Sequence, residues 1–123
     1  MPKKMLIVED DRFIGELYQH QFEKYGFVTK NAYDGQEALD MIKADKYDLI
    51  LLDIIIPKID GIGVLKSLKA DDKTKAIPVV VLSNLGQDEV IKEALHNGAK
   101  AYIIKSLYTP DQVVAEVRSI IGF

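Results

Sequence analysis

The chain of 123 residues contains no cysteine and no tryptophan, and only two histidines and four prolines. The missing cysteine excludes disulfides, thiolate metal sites and thiol nucleophiles. Lysine and arginine number 16 against 19 acidic residues, a net charge of −3, so the basic excess of a nucleic-acid-binding surface is absent. No apolar run approaches the length of a membrane span. The N-terminal "MPKKMLIVEDD" has an apolar run of only four residues before Glu9, Asp10 and Asp11 interrupt it, too short for a secretory leader. These absences lead to the expectation of one cytoplasmic domain over 1–123, a size that supports a substantial core.

What is present is an alternation. Short apolar runs fall at 5–8, 27–33, 48–53, 77–83 and 100–105. Helical spacing lies between them. "RFIGELYQHQFEKYG" puts Phe13, Leu17, Tyr18, Phe22 and Tyr25 on one broad side, and Gly26 stops it. "DGQEALDMI" opens with Asp34 as a cap and Glu37 in the capping-box position. "GIGVLKSLKAD" carries Val64, Leu65 and Leu68; "QDEVIKEALHNG" carries Val90, Ile91, Ala94 and Leu95 and stops at Asn97-Gly98. "TPDQVVAEV" offers Thr109 as cap, Pro110 at the first helical position and Gln112 to close the box. Residues 69–76 read as a solvated connection. The order is βαβαβαβαβα. Runs such as "LILL" and "VVVL" do not alternate, so both faces are expected to be buried in a parallel sheet with helices on either side.

In such a sheet ligands bind beyond the carboxyl ends of the strands. The first strand ends in Glu9 and Asp10, the third in Asp53, the fourth in Ser83-Asn84 and the fifth in Lys105. Clustered carboxylates repel one another until their pKa values rise or a cation joins them. An all-oxygen set suits a hard ion such as Mg²⁺, and no histidine or cysteine is placed to favour zinc. A carboxylate beside Mg²⁺ can form an acyl phosphate. Phosphoryl transfer needs positive charge around the moving oxygens, which the ion and Lys105 would supply, with Ser83 donating a hydrogen bond. The apolar third strand then serves as a rigid mount for Asp53.

The acid pair in "MLIVEDD", the run "LLDIIIPKIDG", Ser83 and Lys105, in that order, resemble the receiver domain of two-component response regulators over essentially the whole chain. The resemblance implies a flavodoxin-like (βα)5 three-layer α/β sandwich with a five-stranded parallel sheet of order 2-1-3-4-5. It implies Asp53 as the phosphoacceptor. Glu9, Asp10, Asp53 and the carbonyl of Ile55 would hold Mg²⁺, and Lys105 would pair with the phosphoryl group. Ser83 and Tyr102 would be the switch hydroxyl and switch aromatic, the ring turning inward when the hydroxyl moves, and Gly61 would allow the tight reversal after the third strand. The donor would be a sensor histidine kinase or histidine phosphotransfer protein. The output would be a change in the face formed by the fourth helix, fifth strand and fifth helix, roughly 87–97, 100–104 and 109–121, read by a downstream effector. Such a protein is a signalling switch that catalyses only its own phosphorylation and dephosphorylation, a monomer or a phosphorylation-linked dimer, binding neither nucleic acid nor membrane.

Three places depart from the common receiver pattern. Ser106 stands where many relatives have proline after a cis bond, so Lys105-Ser106 is expected to be trans or else strained, which bears on the reach of Lys105. Asn84 replaces a small residue and is expected to narrow access to the phosphoryl group or bond to it. Ile55 and Leu85 flank the site, are apolar and position no water, which leads to an expectation of slow autodephosphorylation. Competing classes fit less well. An aspartate-nucleophile phosphatase would carry a second aspartate at position 55, and a flavin-binding relative would not place the acidic "EDDRF" where a phosphate sits. A phosphorylation-independent scaffold with the receiver fold is the alternative retained. His96 suits the last turn of its helix, and neither it nor His20 lies by the acidic cluster. Phe13, Ile14, Leu17 and Tyr18 exceed one core stripe, which makes part of that helix a candidate docking patch.

Overall fold

A computed structural model describes residues 2–122. In it β1 (Lys4–Val8), α1 (Arg12–Glu23), β2 (Val28–Ala32), α2 (Gly35–Ala44), β3 (Leu49–Leu52), α3 (Gly61–Ala70), β4 (Val79–Ser83), α4 (Asp88–His96), β5 (Ala101–Ile104) and α5 (Pro110–Ile121) follow one another. A short 3₁₀ turn, Lys105–Leu107, sits between β5 and α5. The strands form one parallel sheet of order β2-β1-β3-β4-β5. This is the flavodoxin-like arrangement expected.

The non-alternating strands bury both faces because each face meets its own helices. Leu6, Val8, Ile50, Leu52, Val79 and Val81 pack with apolar residues of α2, α3 and α4. Met5, Ile7, Leu49, Leu51, Val80 and Leu82 pack with Tyr18 and Phe22 of α1 and Val113, Val114 and Val117 of α5. Three layers result, and the central strands cannot shift register by one residue without exchanging one core for the other.

The caps follow the local chemistry. Asp11, Asp34, Asp60 and Thr109 each accept a backbone N–H from the first turn of α1, α2, α3 and α5. Thr109 and Gln112 form the complete reciprocal box, with Pro110 in the first turn. Glu37 does not close its box as expected. Its carboxylate accepts the N–H of Tyr33 at 2.8 Å, one residue before the cap.

Several packing expectations are corrected. On α1, Gly15, Tyr18 and Phe22 are buried, while Phe13 and Leu17 are exposed, as is Tyr25 in the turn that follows the helix. The buried stripe is narrower than the apolar one because only one side of α1 meets the sheet. On α4 only Ala94 is buried, and Leu95 is exposed. Residues 69–76 are not simply solvated. Thr74 is buried and donates to the Leu68 carbonyl at 2.7 Å. The Lys69 ammonium donates to the carbonyls of Lys75 and Ile77 at 3.0 and 2.8 Å. Gly61 contributes closeness rather than unusual dihedrals. A Cβ there would lie 2.3 Å from the Asp53 carbonyl oxygen.

Candidate functional site

Sheet order decides what meets at the carboxyl edge. β1 and β3 are neighbours in register, Val8 beside Leu52, so Glu9 and Asp53 leave the sheet side by side. One carboxylate oxygen from each of Glu9, Asp10 and Asp53 lies within 4.8 Å of the others. Glu9 and Asp53 are buried and Asp10 is exposed, so the cluster is closed below and open to solvent above. Ile7, Tyr18, Leu51 and Leu82 form its apolar floor. Asp11 does not join the cluster; it caps α1 by accepting the Ile14 N–H at 3.2 Å.

Lys105 begins the 3₁₀ turn after β5, and its ammonium reaches across β4 and β3. It donates to Asp53 Oδ2 at 2.7 Å and to Glu9 Oε1. Burial raises the Glu9 pKa above the ordinary value, and its bonds to Lys105 offset only part of that. Burial alone would lower the Lys105 pKa, but the hydrogen bonds and charges of Asp53 and Glu9 outweigh it and the net shift is upward. These are the opposed pressures expected where charges are gathered out of water.

The loop after β4 carries the remaining groups. Ser83 is fully buried, and its hydroxyl accepts the Leu85 N–H at 3.2 Å. Tyr102 on β5 donates its hydroxyl to the Leu85 carbonyl at 2.6 Å, so the ring already faces inward while Ser83 holds the Leu85 N–H, rather than turning in only when that hydroxyl moves, and burial raises its pKa. Leu85 is half-buried and Ile55 exposed. Asn84 does not face the acidic cluster as a bonding partner. Its Oδ1 accepts the backbone N–H of Ser106 at 2.9 Å, and among the described residues every peptide bond, Lys105-Ser106 included, is trans.

Sequence reasoning missed the supports of this edge. Gly35 donates its N–H to the Pro57 carbonyl at 3.1 Å, and a Cβ at Gly35 would lie 1.8 Å from the Ile59 carbonyl oxygen. Lys58 in the same loop takes φ +70° and pairs with Asp34 at 3.5 Å. The start of α2 therefore braces the loop that carries the Ile55 carbonyl. The signal was the Gly of "DG" at a helix start, where a cap alone does not require glycine. The Arg12 guanidinium stacks on Tyr33, 3.9 Å from the ring centroid. The signal for the Asn84 bond was Ser106 itself, which leaves a free N–H where proline has none.

Residues 5–118 match the response regulator receiver domain family. The polar-differentiation response regulator DivK of Brucella anthropi is 35% identical over 125 residues, covering 99% of this chain and 98% of DivK. The alkaline phosphatase synthesis transcriptional regulatory protein PhoP of Bacillus subtilis is 36% identical over 121 residues, covering 98% of this chain but 49% of PhoP. Against several such transcriptional regulators this chain spans about half of the relative's length. The receiver domain of the Francisella response regulator 1452 superposes with a TM-score of 0.87 at 33% identity, covering 98% of this chain and 97% of that one. The Mn²⁺-bound form of response regulator Rcp1 does so with a TM-score of 0.86 at 28% identity, covering 96% and 93%. With the fold, the acidic edge and these likenesses in agreement, the chain belongs to the receiver domain family of two-component response regulators.

Proposed function

We propose that this chain, as a single receiver domain, is a phosphorylation-driven switch whose phosphoacceptor is Asp53. One observation carries the reading. At the carboxyl edge a buried aspartate stands within reach of two further carboxylates and 2.7 Å from a lysine ammonium. The reaction moves a phosphoryl group from a phosphohistidine on a sensor kinase or phosphotransfer protein. An Asp53 carboxylate oxygen forms the new P–O bond, the P–N bond breaks, and the histidine nitrogen leaves with the electron pair.

Glu9, Asp10 and Asp53 fit a hard divalent ion, because the donor set is all oxygen and converges on one point. The Ile55 carbonyl is a further ligand in this reading. When bound, Mg²⁺ would supply positive charge to the phosphoryl oxygens. Lys105 holds Asp53 in place before transfer and then pairs with the phosphoryl group.

The output follows from the loop after β4. A Ser83 hydroxyl drawn toward a phosphoryl oxygen gives up the Leu85 N–H, and the Leu85 carbonyl is the acceptor that holds Tyr102. The hydroxyl and the aromatic thus share one short loop. That supports a shift of the face made by α4, β5 and α5 toward a downstream effector. The exposed Phe13 and Leu17, on the helix that starts beside the acid pair, support docking of the phosphodonor protein there. A cytoplasmic location, and a monomer or a dimer formed on phosphorylation, belong to the same reading, as does catalysis limited to the chain's own Asp53.

Intact-mass spectrometry after incubation with a small-molecule phosphodonor tests the proposal. The expected result is one Mg²⁺-dependent phosphoryl adduct, absent from Asp53→Asn. No adduct from the folded wild type would favour a phosphorylation-independent scaffold instead.

A further inference from the structure

We infer that Asn84 is a positioning residue for Lys105, fixing the turn that carries the lysine by accepting the Ser106 N–H. The inference rests on the reading of Asp53 as phosphoacceptor with Lys105 beside it. β4 and β5 end in register, Ser83 opposite Ile104, and the chain of β5 then enters the 3₁₀ turn Lys105–Leu107. The first N–H groups of any helical turn have no partner inside it. The capping position before this turn is Ile104, which has no side-chain acceptor and makes no cap. The missing acceptor comes from the neighbouring loop, 22 residues away in sequence, as Asn84 Oδ1 at 2.9 Å from Ser106 N.

That bond holds the backbone immediately after Lys105. The lysine side chain is long and flexible, and its ammonium is useful to the chemistry only where it meets Asp53. Fixing its backbone reduces the freedom that must be lost to keep it there. Asn84 and Ser106 are both exposed, so the bond sits on the rim of the site and contributes little to the core. The two residues form one device. A proline at 106 would remove the N–H and disfavour the helical backbone of Lys105, leaving the Asn84 oxygen without its partner. Asn84 also lies between Ser83, which bears the hydroxyl, and Leu85, which holds Tyr102. One bond therefore ties the hydroxyl-bearing loop to the lysine-bearing turn.

The test compares wild type, Asn84→Ala, Lys105→Met and the double variant. Rates of adduct formation are measured with acetyl phosphate over a range of Mg²⁺ concentrations, and amide hydrogen exchange is followed at Ser106. Losing one neutral hydrogen bond that positions Lys105 should lower the rate at saturating Mg²⁺ by about threefold to tenfold. Half-saturation by Mg²⁺ and the melting temperature should not change, and the Ser106 amide should exchange faster. In the Lys105→Met background, Asn84→Ala should have no further effect. Equal rates in wild type and Asn84→Ala overturn the inference, as does an equal loss with and without Lys105. So does a loss that tracks metal affinity or melting temperature. A wild type that forms no adduct overturns the phosphoacceptor reading and this inference with it, whereas adduct formation unaffected by Asn84→Ala overturns this inference alone.

Discussion

At the amino edge of the sheet, Lys4 pairs with Asp45, their side chains 27% and 48% exposed. At the carboxyl edge, Lys105 pairs with Asp53, at 13% and 9%, and with Glu9. The same two residue types meet in both places, yet the physics differs. An exposed pair is screened by water and holds its geometry against side-chain entropy, so it contributes little. A buried pair carries a desolvation cost that attraction only partly offsets, and removal of one partner strands the other charge. Burial of charge that is not the cheapest route to stability points to a use for the charge. That separates the carboxyl edge from the rest of a surface rich in acids and lysines.

The largest expected effect at the carboxyl edge is on stability. Lys105→Met leaves Glu9 and Asp53 facing each other out of water and should cost on the order of 3 kcal/mol without metal. Mg²⁺ should restore part of it, because a cation returns to the cluster. Chemical denaturation with and without Mg²⁺ checks both halves, and a cost no greater than that of Lys4→Met would erase the contrast between the edges.

Next is Gly35→Ala, which drives a Cβ into the Ile59 carbonyl. Overpacking of this kind costs about 1–3 kcal/mol. The displaced loop carries Ile55, so Mg²⁺ affinity measured by competition with Mn²⁺ in paramagnetic resonance should fall as well. Retained affinity would mean that the brace does not reach the site.

The pH dependence sharpens the contrast further. The Lys105 pKa is raised in the folded protein above the ordinary 10.5. Its stabilisation is therefore complete below 10.5 and lost as pH climbs through the folded value. Glu9 acts in the opposite sense. Its raised value means that the metal-free protein gains stability as pH falls through the folded value toward the ordinary 4.5. Lys105→Met should flatten the alkaline limb of a stability–pH profile, whereas Lys4→Met, the smallest effect of the set, should leave the denaturation midpoint at neutral pH in place. Between these in size lies a kinetic effect. Leu85→Gln, which adds a polar group able to orient water, should shorten the lifetime of the phosphorylated form, and an unchanged lifetime would remove the reason to expect slow autodephosphorylation.

Much of this molecule is legible in its sequence, and the boundary of legibility has a physical cause. The strands are written as non-alternating apolar runs because both of their faces are covered. The caps at Asp34 and Thr109 are visible because they act within four residues. Asp53, Glu9, Asp10, Ser83 and Lys105 can be brought together on paper because strand order alone carries them to one edge. The exposed side of α1 is not legible in the same way: Phe13 and Leu17 match the apolar period of Tyr18 and Phe22, and only the width of the sheet contact separates them. Gly35 against Ile59, Arg12 on Tyr33 and Asn84 on Ser106 were hidden because each depends on how the start of a helical segment meets a loop elsewhere in the chain, and no periodicity records that.

The central claim is that the carboxyl edge exists to put a phosphoryl group on Asp53. Borohydride reduction of the phosphorylated protein tests it most directly, because an aspartyl phosphate is reduced to homoserine and peptide mapping by mass spectrometry then locates the change. The account predicts homoserine at position 53 and nowhere else, only after treatment with phosphodonor and Mg²⁺. Homoserine at another aspartate, the corresponding longer alcohol at a glutamate such as Glu9, or a stable adduct on a histidine or serine with position 53 still aspartate, would contradict it.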